Sequence, residues 1–595
     1  MRKGELMRKT ILAAALTVAV TPAFSQQPAS TDTIVVTATR TEMLLEDVTV
    51  PVDVITRDEI ELSMASDLAE LLRFEAGIDI GRTGGPGQAP SVVVRGPDSN
   101  HTLVRCDGVR SEPGPIGGAA IQNIAPEMIE RVEIVKGARS ALYGTDAIGG
   151  VINIITRRSQ PSYGEVSVGG GSFDTRNGNV GVGGTGDVGE FGLSVSYNDT
   201  AGFPPSTSSD LDRGYDNTTV NLHGGLNVGA GFIGLRHWSA VGTTEYLDFF
   251  LDPLDQDYEN QSTALEWRSP FGESLDSRLI VGYMTDEIRQ NQSVDFVEST
   301  RTSLDWQLSF ATEAHTVTGG IYYVDEDASS LSFGSGFDEN TTSGAVFLQD
   351  QWKHDRHQAF VAVRFSDHET FGGETTWNAE YAFALNEDWT LQGGIAHAFR
   401  APDATDRFGF GGNPALKPEV SDEVQLGIRY NPAGRHSFAL EFYQNDIEDL
   451  IEFNLDTFTL ENIARAEILG AELTWDYRGD GFSVNASIVK QAADNPDNET
   501  RLLRRAEESA TVNLVKDIGR HRVGLSLLAS GDREDFGGTN LPGYALVNLT
   551  GQLAIGDQWR LNARVENLFD RDYQTAAGFR MQALSGFVEL RYAWR

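Results

Sequence analysis

Cysteine is almost absent from this 595-residue chain, whose single thiol is that of Cys106. A lone cysteine has no partner within the chain, so a disulfide framework is excluded as the source of stability. Cys106 ends the apolar run Thr102–Cys106, and a thiol in such a run is typical of a packed core rather than of a catalytic nucleophile. Stability therefore has to come from packing and from backbone pairing.

Long apolar runs and positive charge are also scarce. Past the N-terminus no apolar run reaches the roughly 18 residues that a membrane-spanning helix needs, which excludes a helical membrane protein. The 47 lysines and arginines are outnumbered by 86 acidic residues, and the formal net charge of -39 argues against nucleic-acid binding. The acidity fits a surface that holds cations, and equally a surface that keeps the protein soluble.

Residues 1–25 have the features of a secretory signal peptide. A positively charged start up to Lys9 precedes the apolar stretch Ile11–Val20, and small residues follow near Ala23 and Ser25. This order of features predicts export, with cleavage near Gln26.

A short segment rich in β-branched residues, Thr33–Ala38, follows the signal and is flanked by polar residues on both sides. No hairpin partner is evident nearby, so the segment is suited to pair with the sheet edge of another protein. The alternative is an ordinary first strand of the next domain.

Residues 50–158 show a mixed pattern that predicts a compact α+β domain. Asp58–Leu72 has helical periodicity, with Ser66 or Asp67 available as a cap. Glycine- and proline-rich turns separate four predicted strands, Ser91–Val94, His101–Arg105, Arg131–Val135 and Val151–Ile155.

From Tyr163 to the end of the chain the period of the apolar residues is two. A typical strand has the apolar residues Phe191, Leu193, Val195 and Tyr197 alternating with Gly192, Ser194 and Ser196. A soluble sandwich would show the same alternation, but its persistence, with tryptophan and tyrosine often at strand ends, favours a membrane β-barrel whose alternate side chains face lipid.

The last predicted strand, residues 587–595, places apolar side chains on one face. It resembles the terminal strand that outer-membrane assembly machinery reads, but it ends in Arg595 rather than in an aromatic residue.

Two consecutive motifs identify a family. Residues 131–137 (RVEIVKG) and 140–156 (SALYGTDAIGGVINIIT) resemble the plug signature of TonB-dependent receptors. In that family a TonB box stands where this chain has the short β-branched segment, so the resemblance favours the pairing role for Asp32, Thr33, Ile34, Val35, Val36, Thr37 and Ala38. It implies that TonB, with its inner-membrane energising complex, pairs with this box and deforms the plug.

The resemblance implies a mainly β fold: an antiparallel transmembrane β-barrel of about 22 strands, occluded by an N-terminal α+β plug domain. The implied division is a signal peptide at 1–25, the TonB box and linker at 26–49, the plug at 50–160 and the barrel at 161–595. The expected setting is the bacterial outer membrane, with outer-membrane lipid around a monomer.

Within the family the chain is similar to the BtuB-like cobalamin (vitamin B12) receptors. The resemblance rests on the short length and on residues 84–88 (GGPGQ), 94–96 (VRG), 399–402 (FRAP), 409–419 (GFGGNPALKPE) and 502–505 (LLRR). Residues 567–570 (NLFD) are shared by many receptors and do not indicate the ligand. The implied function is active import of cobalamin or a related corrinoid.

The resemblance also implies ligand-binding positions. They are Ala89, Ser91, Asp98, Ile116, Gly117 and Arg504, with Phe536 where the family may have a tyrosine. The alternative is that the plug positions are turn residues that shape the plug apices.

The family further implies calcium in two extracellular loops, as a structural and not a catalytic cofactor. The matching residues are Asp210, Asp212, Tyr246, Asp248 and Asp255. Calcium takes six to eight oxygen ligands, which clustered carboxylates supply. Pro204 stands in place of one expected aspartate and Ser208 in place of an amide, so solvated acidic loops are the alternative.

Two other functions compete with this interpretation. An iron-siderophore or haem receptor shares the plug, the barrel and residues 399–402, but no histidine lies between Pro402 and Asn413 to bind haem iron, and the lone His101 is more often structural. An enzyme is not expected, and no catalytic residue is assigned, because no nucleophile elbow, phosphate loop or His-Glu-x-x-His zinc motif is found. A passive porin is not expected either, because the plug would block its channel.

Overall fold

The computed structural model describes residues 34–35, 37–111, 117–158, 162–454, 456–463 and 465–594. The predicted signal peptide lies outside these residues, as do Asp32, Thr33, Val36 and Ile116 of the predicted sites. Within the described residues, no helix has the length and apolar character to cross a membrane.

The N-terminal part is built from short elements. Its strands are β1 (Ile34–Val35), β2 (Met43–Leu44), β3 (Val52–Thr56), β4 (Ile78–Arg82), β5 (Pro90–Val94), β6 (Thr102–Cys106), β7 (Val109–Arg110), β8 (Ile129–Lys136) and β9 (Gly150–Thr156). Its α-helices are α1 (Arg57–Ser63), α2 (Leu68–Leu72) and α3 (Ser140–Tyr143), and single 3-10 turns are found at Leu45–Asp47, Ser99–His101, Ile121–Asn123 and Pro126–Met128.

A five-stranded sheet in the order β3-β8-β9-β6-β7 forms the centre of this part. Strands β6 and β9 run parallel, and the other neighbours are antiparallel. Strands β4 and β5 form a separate hairpin. The four predicted strands are confirmed, each within two residues of its expected bounds, and Cys106 is buried in the core as predicted.

The predicted helical stretch Asp58–Leu72 consists of two helices, and the cap expected at Ser66 or Asp67 is found at Asp67, just before the second helix. Thr56 and Glu59 form a capping box at the start of α1, and Met64, with φ of 51°, ends it in the left-handed conformation. Asp67 then caps α2 by accepting a hydrogen bond from the backbone of Glu70. Each helix buries an apolar face, so the apolar periodicity continues from α1 into α2. Periodicity alone therefore does not reveal where α1 ends.

The expectation that the first short segment has no hairpin partner is wrong. Ile34 pairs with Leu44 and Val35 pairs with Met43 in the antiparallel hairpin β1–β2. The intervening turn is longer than a tight hairpin turn, which explains why the sequence pattern did not reveal the pairing.

The rest of the described chain consists almost entirely of strands. In chain order they are β10 (Tyr163–Gly171), β11 (Arg176–Gly186), β12 (Gly189–Phe203), β13 (Arg213–Val228), β14 (Gly231–Leu247), β15 (Pro253–Phe271), β16 (Leu275–Gln290), β17 (Phe296–Ala311), β18 (His315–Ser332), β19 (Ser335–His354), β20 (His357–His368), β21 (Gly372–Ala384), β22 (Trp389–Arg400), β23 (Glu419–Tyr430), β24 (His436–Glu448), β25 (Ile451–Asn454), β26 (Thr459–Asn462), β27 (Arg465–Gly479), β28 (Phe482–Asn495), β29 (Thr500–Arg501), β30 (Glu508–Ile518), β31 (His521–Ser530), β32 (Arg533–Asp535), β33 (Thr539–Leu541), β34 (Tyr544–Ile555), β35 (Trp559–Glu566) and β36 (Ser585–Trp594). The helix α4 (Ala404–Phe408) and 3-10 turns at Pro432–Gly434 and Phe536–Gly538 interrupt them.

Within the described residues, 22 long antiparallel strands close into one barrel, as predicted. The ring closes where β10 pairs with β36, with Val166 opposite Tyr592 and Gly164 opposite Trp594. Strands β25, β26, β29, β32 and β33 are short additions near the strand ends. Closure of the described strands leaves that sheet without a free edge, which is the requirement for backbone in contact with lipid.

The alternation of side chains confirms the predicted faces. On β12, Phe191 and Leu193 point outward and are 61% and 42% exposed, while Ser194 and Ser196 on the inner face are half-buried. Large apolar residues are exposed in the same way on most barrel strands. An apolar band of this kind is favourable where lipid covers it and unfavourable where water does.

The two ends of the barrel differ. Short turns such as 187–188 and 355–356 close one end, here called the turn end, and longer connections such as 204–212 and 401–418 close the other, the loop end. Aromatic rings pack against each other near the turn end: Trp389 stacks on Tyr430 with centroids 4.2 Å apart, and Trp559 lies tilted against Tyr592 with centroids 4.7 Å apart. Such girdles are typical of barrel walls at a membrane interface.

The N-terminal part lies inside the barrel and is referred to below as the plug. Its core includes wall residues such as Tyr215 and Trp238 as well as plug strands. Buried ion pairs also join it to the wall: Arg139 lies 2.5 Å from Glu380 and Arg95 lies 3.4 Å from Glu472. The fold therefore places the β4–β5 turn and the turn before β6 toward the loop end.

Candidate functional site: the plug apices beneath the loops

The first plug apex is the turn between β4 and β5, and it touches the barrel loops through neutral hydrogen bonds. The amide of Gln88 donates to the carbonyl oxygen of Glu245 over 2.7 Å, and the backbone N–H of Arg82 donates to the hydroxyl of Thr575 over 3.0 Å. Gly87 has φ of +77° and lies against the ring of Tyr215, so a side chain there would both strain the backbone and displace the ring.

The predicted ligand positions of this apex are accessible. Ala89 is exposed, and Ser91 at the start of β5 is half-buried beside Gly81. These residues form a small-residue surface that faces the loop end, as both the ligand-binding and the turn-shaping interpretations require.

The second plug apex precedes β6. Asp98 pairs with Arg505 of the 496–507 loop, and the guanidinium Nε of Arg505 also donates to the carbonyl oxygen of Gly96 over 3.1 Å. His101 is fully buried, with Nε2 3.0 Å from a carboxylate oxygen of Glu419 and Nδ1 3.2 Å from the backbone nitrogen of Asp98. Both ring nitrogens are therefore engaged within the protein, which gives His101 a structural role.

Arg504 and Phe536, two predicted ligand positions far apart in sequence, lie together. The guanidinium carbon of Arg504 is 5.1 Å from the centroid of the Phe536 ring, and its Nε donates to Asp535 over 2.8 Å. Asp535 is fully buried and also accepts from the backbone N–H of Ala577 over 2.5 Å. The Asp535 carboxylate therefore links the three loops that contain Arg504, Asp535 itself and Ala577.

Sequence reasoning missed several residues of this arrangement. Asp535, Thr575 and Glu245 carry no local signal, because each acts through a partner that is distant in the chain. Arg505 belongs to the quoted motif 502–505, but the motif does not show that it is Arg505, and not Arg504, that reaches Asp98.

Gly117 is a predicted ligand position at the edge of the described residues. It has φ of +78° and faces open space, since no atom of the described residues lies within 4 Å of where its Cβ would be. The left-handed backbone conformation favours glycine there, as the turn-shaping interpretation requires.

The motif at residues 399–402 anchors a long loop, residues 401–418, to the plug. Arg400 is buried and pairs with Glu419 at 2.8 Å and with Asp403 at 3.6 Å, and the N–H of Ala401 donates to the plug hydroxyl of Thr145 over 2.9 Å. Burial, together with repulsion from Asp406, raises the pKa of Asp403 to about 7 despite Arg400 nearby.

The five predicted calcium residues do not converge. Among the described residues, no three His, Cys, Asp or Glu side chains stand close enough to bind a metal ion together. Asp210 is almost fully exposed and lies 3.4 Å from Arg580, while Asp212 is also exposed. The other three form hydrogen bonds within the protein. Tyr246 donates to Gln290, and Asp248 accepts from the N–H groups of Phe250 and Asp252. Asp255 accepts from the side-chain amides of Asn291 and Gln292.

The described residues of the predicted TonB box are buried at the plug. Val35, Thr37 and Ala38 are each at most 2% exposed. The backbone N–H of Thr37 donates to Glu133 over 2.9 Å, and its carbonyl oxygen accepts from the Tyr143 hydroxyl over 2.9 Å. In this state the segment is docked and its edge is not available for pairing with another chain.

Arg40, just after the box, fastens this segment to the barrel wall. Its guanidinium lies 2.5 Å from Asp305 and donates to the carbonyl oxygen of Leu142 over 2.6 Å. The amide of Gln307 in turn donates to the carbonyl oxygen of Arg40 over 3.2 Å. Both charges are buried, and Asp305 also lies 3.8 Å from Arg105, so loss of Asp305 would leave the guanidinium of Arg40 without a carboxylate partner in the interior.

We predict that Asp535→Asn loosens the loops over the plug. The variant keeps the shape of the side chain but removes the charge that holds Arg504, and charge-assisted hydrogen bonds contribute about 1.5–3 kcal/mol each. Backbone hydrogen exchange in residues 531–543 and 567–584 should therefore rise by roughly tenfold or more. Asp532→Asn, a half-exposed neighbour, is the matched control, and equal exchange in the two variants would contradict the role given to Asp535.

The chain belongs to the TonB-dependent receptors. The family described as TonB dependent receptor-like, beta-barrel matches residues 156–568, and the TonB-dependent Receptor Plug Domain matches residues 45–151. Members of this family are transporters and receptors, not enzymes.

Among curated proteins, the chain is 30% identical to the vitamin B12 transporter BtuB of Photobacterium profundum over 98% of this chain and 100% of that protein. It is 28% identical to the vitamin B12 transporter BtuB of Vibrio cholerae, with the same coverage.

Solved structures of iron receptors share the fold at low identity. The ferric enterobactin receptor PfeA of Pseudomonas aeruginosa superposes with a TM-score of 0.81 at 16% identity, covering 94% of this chain and 100% of that chain. The FrpB iron transporter of Neisseria meningitidis superposes with a TM-score of 0.80 at 15% identity, covering 91% and 99%. Likeness at this identity shows the architecture and not the ligand.

Proposed function

We propose that this chain imports cobalamin (vitamin B12) or a related corrinoid across the bacterial outer membrane, with energy delivered through TonB. The observation that carries the proposal is the identity of 30% to a vitamin B12 transporter along the full length of both chains. The apolar outer band of the closed barrel supports the outer-membrane location.

The apex geometry is consistent with a bulky, hydrogen-bonding ligand. The two plug apices offer small side chains and backbone groups, and Arg504 with Phe536 offers a cation beside an aromatic face at the loop end. A pocket of this kind binds through many modest contacts spread over a large surface.

The coupling step follows from the docked box. Ligand at the apices shifts the plug between states, and in the state that TonB captures the segment 34–40 has left the contacts of Thr37 and Arg40. A ligand can bias this equilibrium only by binding the two states with different affinity. Asp32, Thr33 and Val36 of the box belong to the same proposed pairing segment.

The proposal is tested by equilibrium dialysis of the purified protein with cyanocobalamin, haemin and a ferric catecholate siderophore. We expect cyanocobalamin to bind with the lowest Kd of the three. Tighter binding of haemin or of the ferric siderophore would contradict the proposal and favour an iron receptor.

The role of Arg504 is tested in the same assay. Arg504→Ala removes a charged donor at the loop end and should weaken cyanocobalamin binding by about tenfold, equivalent to about 1.4 kcal/mol. Arg501→Ala in the same loop is the matched control, because Arg501 pairs with Glu507 and is not one of the predicted ligand positions. Equal affinities of the two variants would show that Arg504 does not contact the ligand.

Calcium binding by Asp210, Asp212, Tyr246, Asp248 and Asp255 is a further part of the proposal. Rearrangement of the two loops could bring these oxygens to one ion, and the ion would then order the loops. We expect calcium, and not magnesium, to slow hydrogen exchange at residues 204–212 and 248–255 and to lower the Kd for cyanocobalamin. Unchanged exchange and affinity over the titration would contradict a calcium site.

A further inference from the structure

A shallow groove crosses the outer wall of the barrel near the turn end. Its volume is about 570 Å³, and its lining comes from β15, β16, β17 and β18 and includes the rings of Trp267 and Trp306. Phe271 and Leu275 also line it, and they form the last pair of β15 and β16 before the turn 272–274. The groove therefore lies within the aromatic girdle, at the level where lipid headgroups meet the first part of their acyl chains.

A small outward side chain lies at the centre of the groove. Ser277 stands opposite Leu308 of β17 and alternates along β16 with the larger outward residues Leu275 and Leu279. Nε1 of Trp306 donates to the hydroxyl of Ser277 over 3.1 Å, so these two polar groups are paired with each other. Every other side chain in the lining is apolar. The groove therefore fits a hydrocarbon chain and has little to offer a polar one.

The shape of this wall, and not its apolar character, distinguishes it from the rest of the outer band. Lipid tails are as apolar as leucine, so the hydrophobic effect does not favour one part of the band over another. A chain lying in a groove gains dispersion contacts on several sides, whereas a chain on a flat wall gains them on one side. One acyl chain in the groove is therefore held more firmly than its neighbours.

Two exposed carboxylates stand at the turn end of the groove. Glu273 belongs to the turn that follows β15, and Glu313 belongs to the turn that follows β17. The two turns are neighbours, since the N–H of Ala311 donates to the carbonyl oxygen of Ser274 over 2.8 Å. In the part of the chain that the structure describes, neither carboxylate forms an ion pair.

The basic side chains nearest to these turns already have other acidic partners. Arg268 and Arg278 lie 3.0 Å and 2.7 Å from Glu266, Lys353 lies 2.6 Å from Asp47, and His315 lies 2.9 Å from Asp350. The outer rim of the groove is therefore left with a negative charge. A cationic headgroup is attracted to this rim, and an anionic headgroup is repelled.

We propose that the groove binds one acyl chain of a phospholipid whose headgroup ends in an ammonium group, with that group beside Glu273 and Glu313. Phosphatidylethanolamine is a lipid of this class. Its ammonium donates up to three hydrogen bonds to carboxylate oxygens, whereas the methylated nitrogen of phosphatidylcholine donates none. The site depends on the barrel being surrounded by lipid and not on which ligand the receptor imports.

Native mass spectrometry of the purified receptor tests the site. The wild type is equilibrated in detergent with equal amounts of phosphatidylethanolamine, phosphatidylglycerol and phosphatidylcholine that carry the same acyl chains. We expect one retained lipid for each receptor, with phosphatidylethanolamine favoured by about fivefold to tenfold, the effect of two exposed charge pairs. Equal retention of the three lipids would overturn the assignment of the headgroup. A receptor dimer without bound lipid would show that a second copy covers the groove.

Filling the groove tests where the chain lies. Ser277→Leu adds bulk at the centre of the groove, and Ala471→Leu adds the same side chain on the outward face of β27, between the exposed residues Leu469 and Leu473. We expect Ser277→Leu to lose the retained lipid and Ala471→Leu to keep it. Retention of lipid by Ser277→Leu at the wild-type level would overturn the groove as the site.

A further variant leaves the wall unchanged, so it keeps the proposal testable even if Ser277→Leu fails to fold. Glu273→Gln combined with Glu313→Gln should still retain one lipid but lose the preference for phosphatidylethanolamine. Glu387→Gln, in another exposed turn at the same end, is the matched control and should keep the preference. An unchanged preference in the double variant would overturn the role given to the two carboxylates. Cyanocobalamin takes no part in these measurements, so their failure is distinct from failure of the proposed function.

Discussion

We expect Ile34→Pro to abolish uptake of the ligand while leaving its affinity for the receptor unchanged. The substitution removes a backbone N–H from the predicted TonB box, and strand addition by a partner depends on main-chain hydrogen bonds. The proposed ligand site lies at the other end of the plug, so the Kd should not change. The measurement is uptake of labelled cyanocobalamin by cells, beside equilibrium binding to the purified protein.

The matched control for this variant is Leu44→Pro. Leu44 is the register partner of Ile34 in the β1–β2 hairpin, so its replacement disrupts the same pairing without altering residues 32–38. Uptake should persist in Leu44→Pro. If both variants lost uptake equally, the hairpin and not a TonB box would be what transport requires.

The second large effect is expected from Asp305→Asn. The change leaves the buried guanidinium of Arg40 without its partner, and breaking a buried pair in this way costs about 3–5 kcal/mol. The docked state of residues 37–41 should lose stability by that amount, so that the undocked population rises by a factor of at least about 100 without any ligand. TonB capture would then no longer depend on ligand.

A spin label at Glu42→Cys measures this undocking. Glu42 is exposed, and the native Cys106 is buried, so the label reports on the introduced position. The label should be mobile in Asp305→Asn and ordered in the otherwise unchanged chain. The double variant Arg40→Leu with Asp305→Leu removes both charges and should be more ordered than Asp305→Asn. A label that stayed ordered in Asp305→Asn would show that other contacts of Thr37 hold the segment.

The prediction of the barrel succeeded because it depends on a local property repeated many times. Each outward residue such as Phe191 or Leu193 is apolar whatever its neighbours in space are, so the period of two can be recognised in the sequence directly. Within Asp58–Leu72 the cap at Asp67 was predictable from its residue type, but the left-handed conformation of Met64 that ends α1 leaves no trace in the apolar periodicity.

The candidate site was predictable only in part. Positions at the apices such as Asp98 and Arg504 were reached through a motif resemblance, but their partners were not, since Asp535 and Arg505 act through contacts with residues distant in the chain. The predicted calcium residues illustrate the same limit. They were also reached through the family resemblance, and the structure shows only their present partners, which are nearby protein groups or solvent.

The amino-acid sequence by itself determined long strands with one apolar face from Tyr163 onward and a mixed domain before them, because side-chain periodicity acts residue by residue, while closure of the strands into a barrel was implied by the family resemblance. Only the tertiary structure decided that the box segment is docked through Thr37 and Arg40 and that Asp535 joins three loops. These contacts join side chains that are far apart in the sequence. In an interior of low dielectric a buried charge has to be paired, and the three-dimensional arrangement alone determines which partner lies close enough.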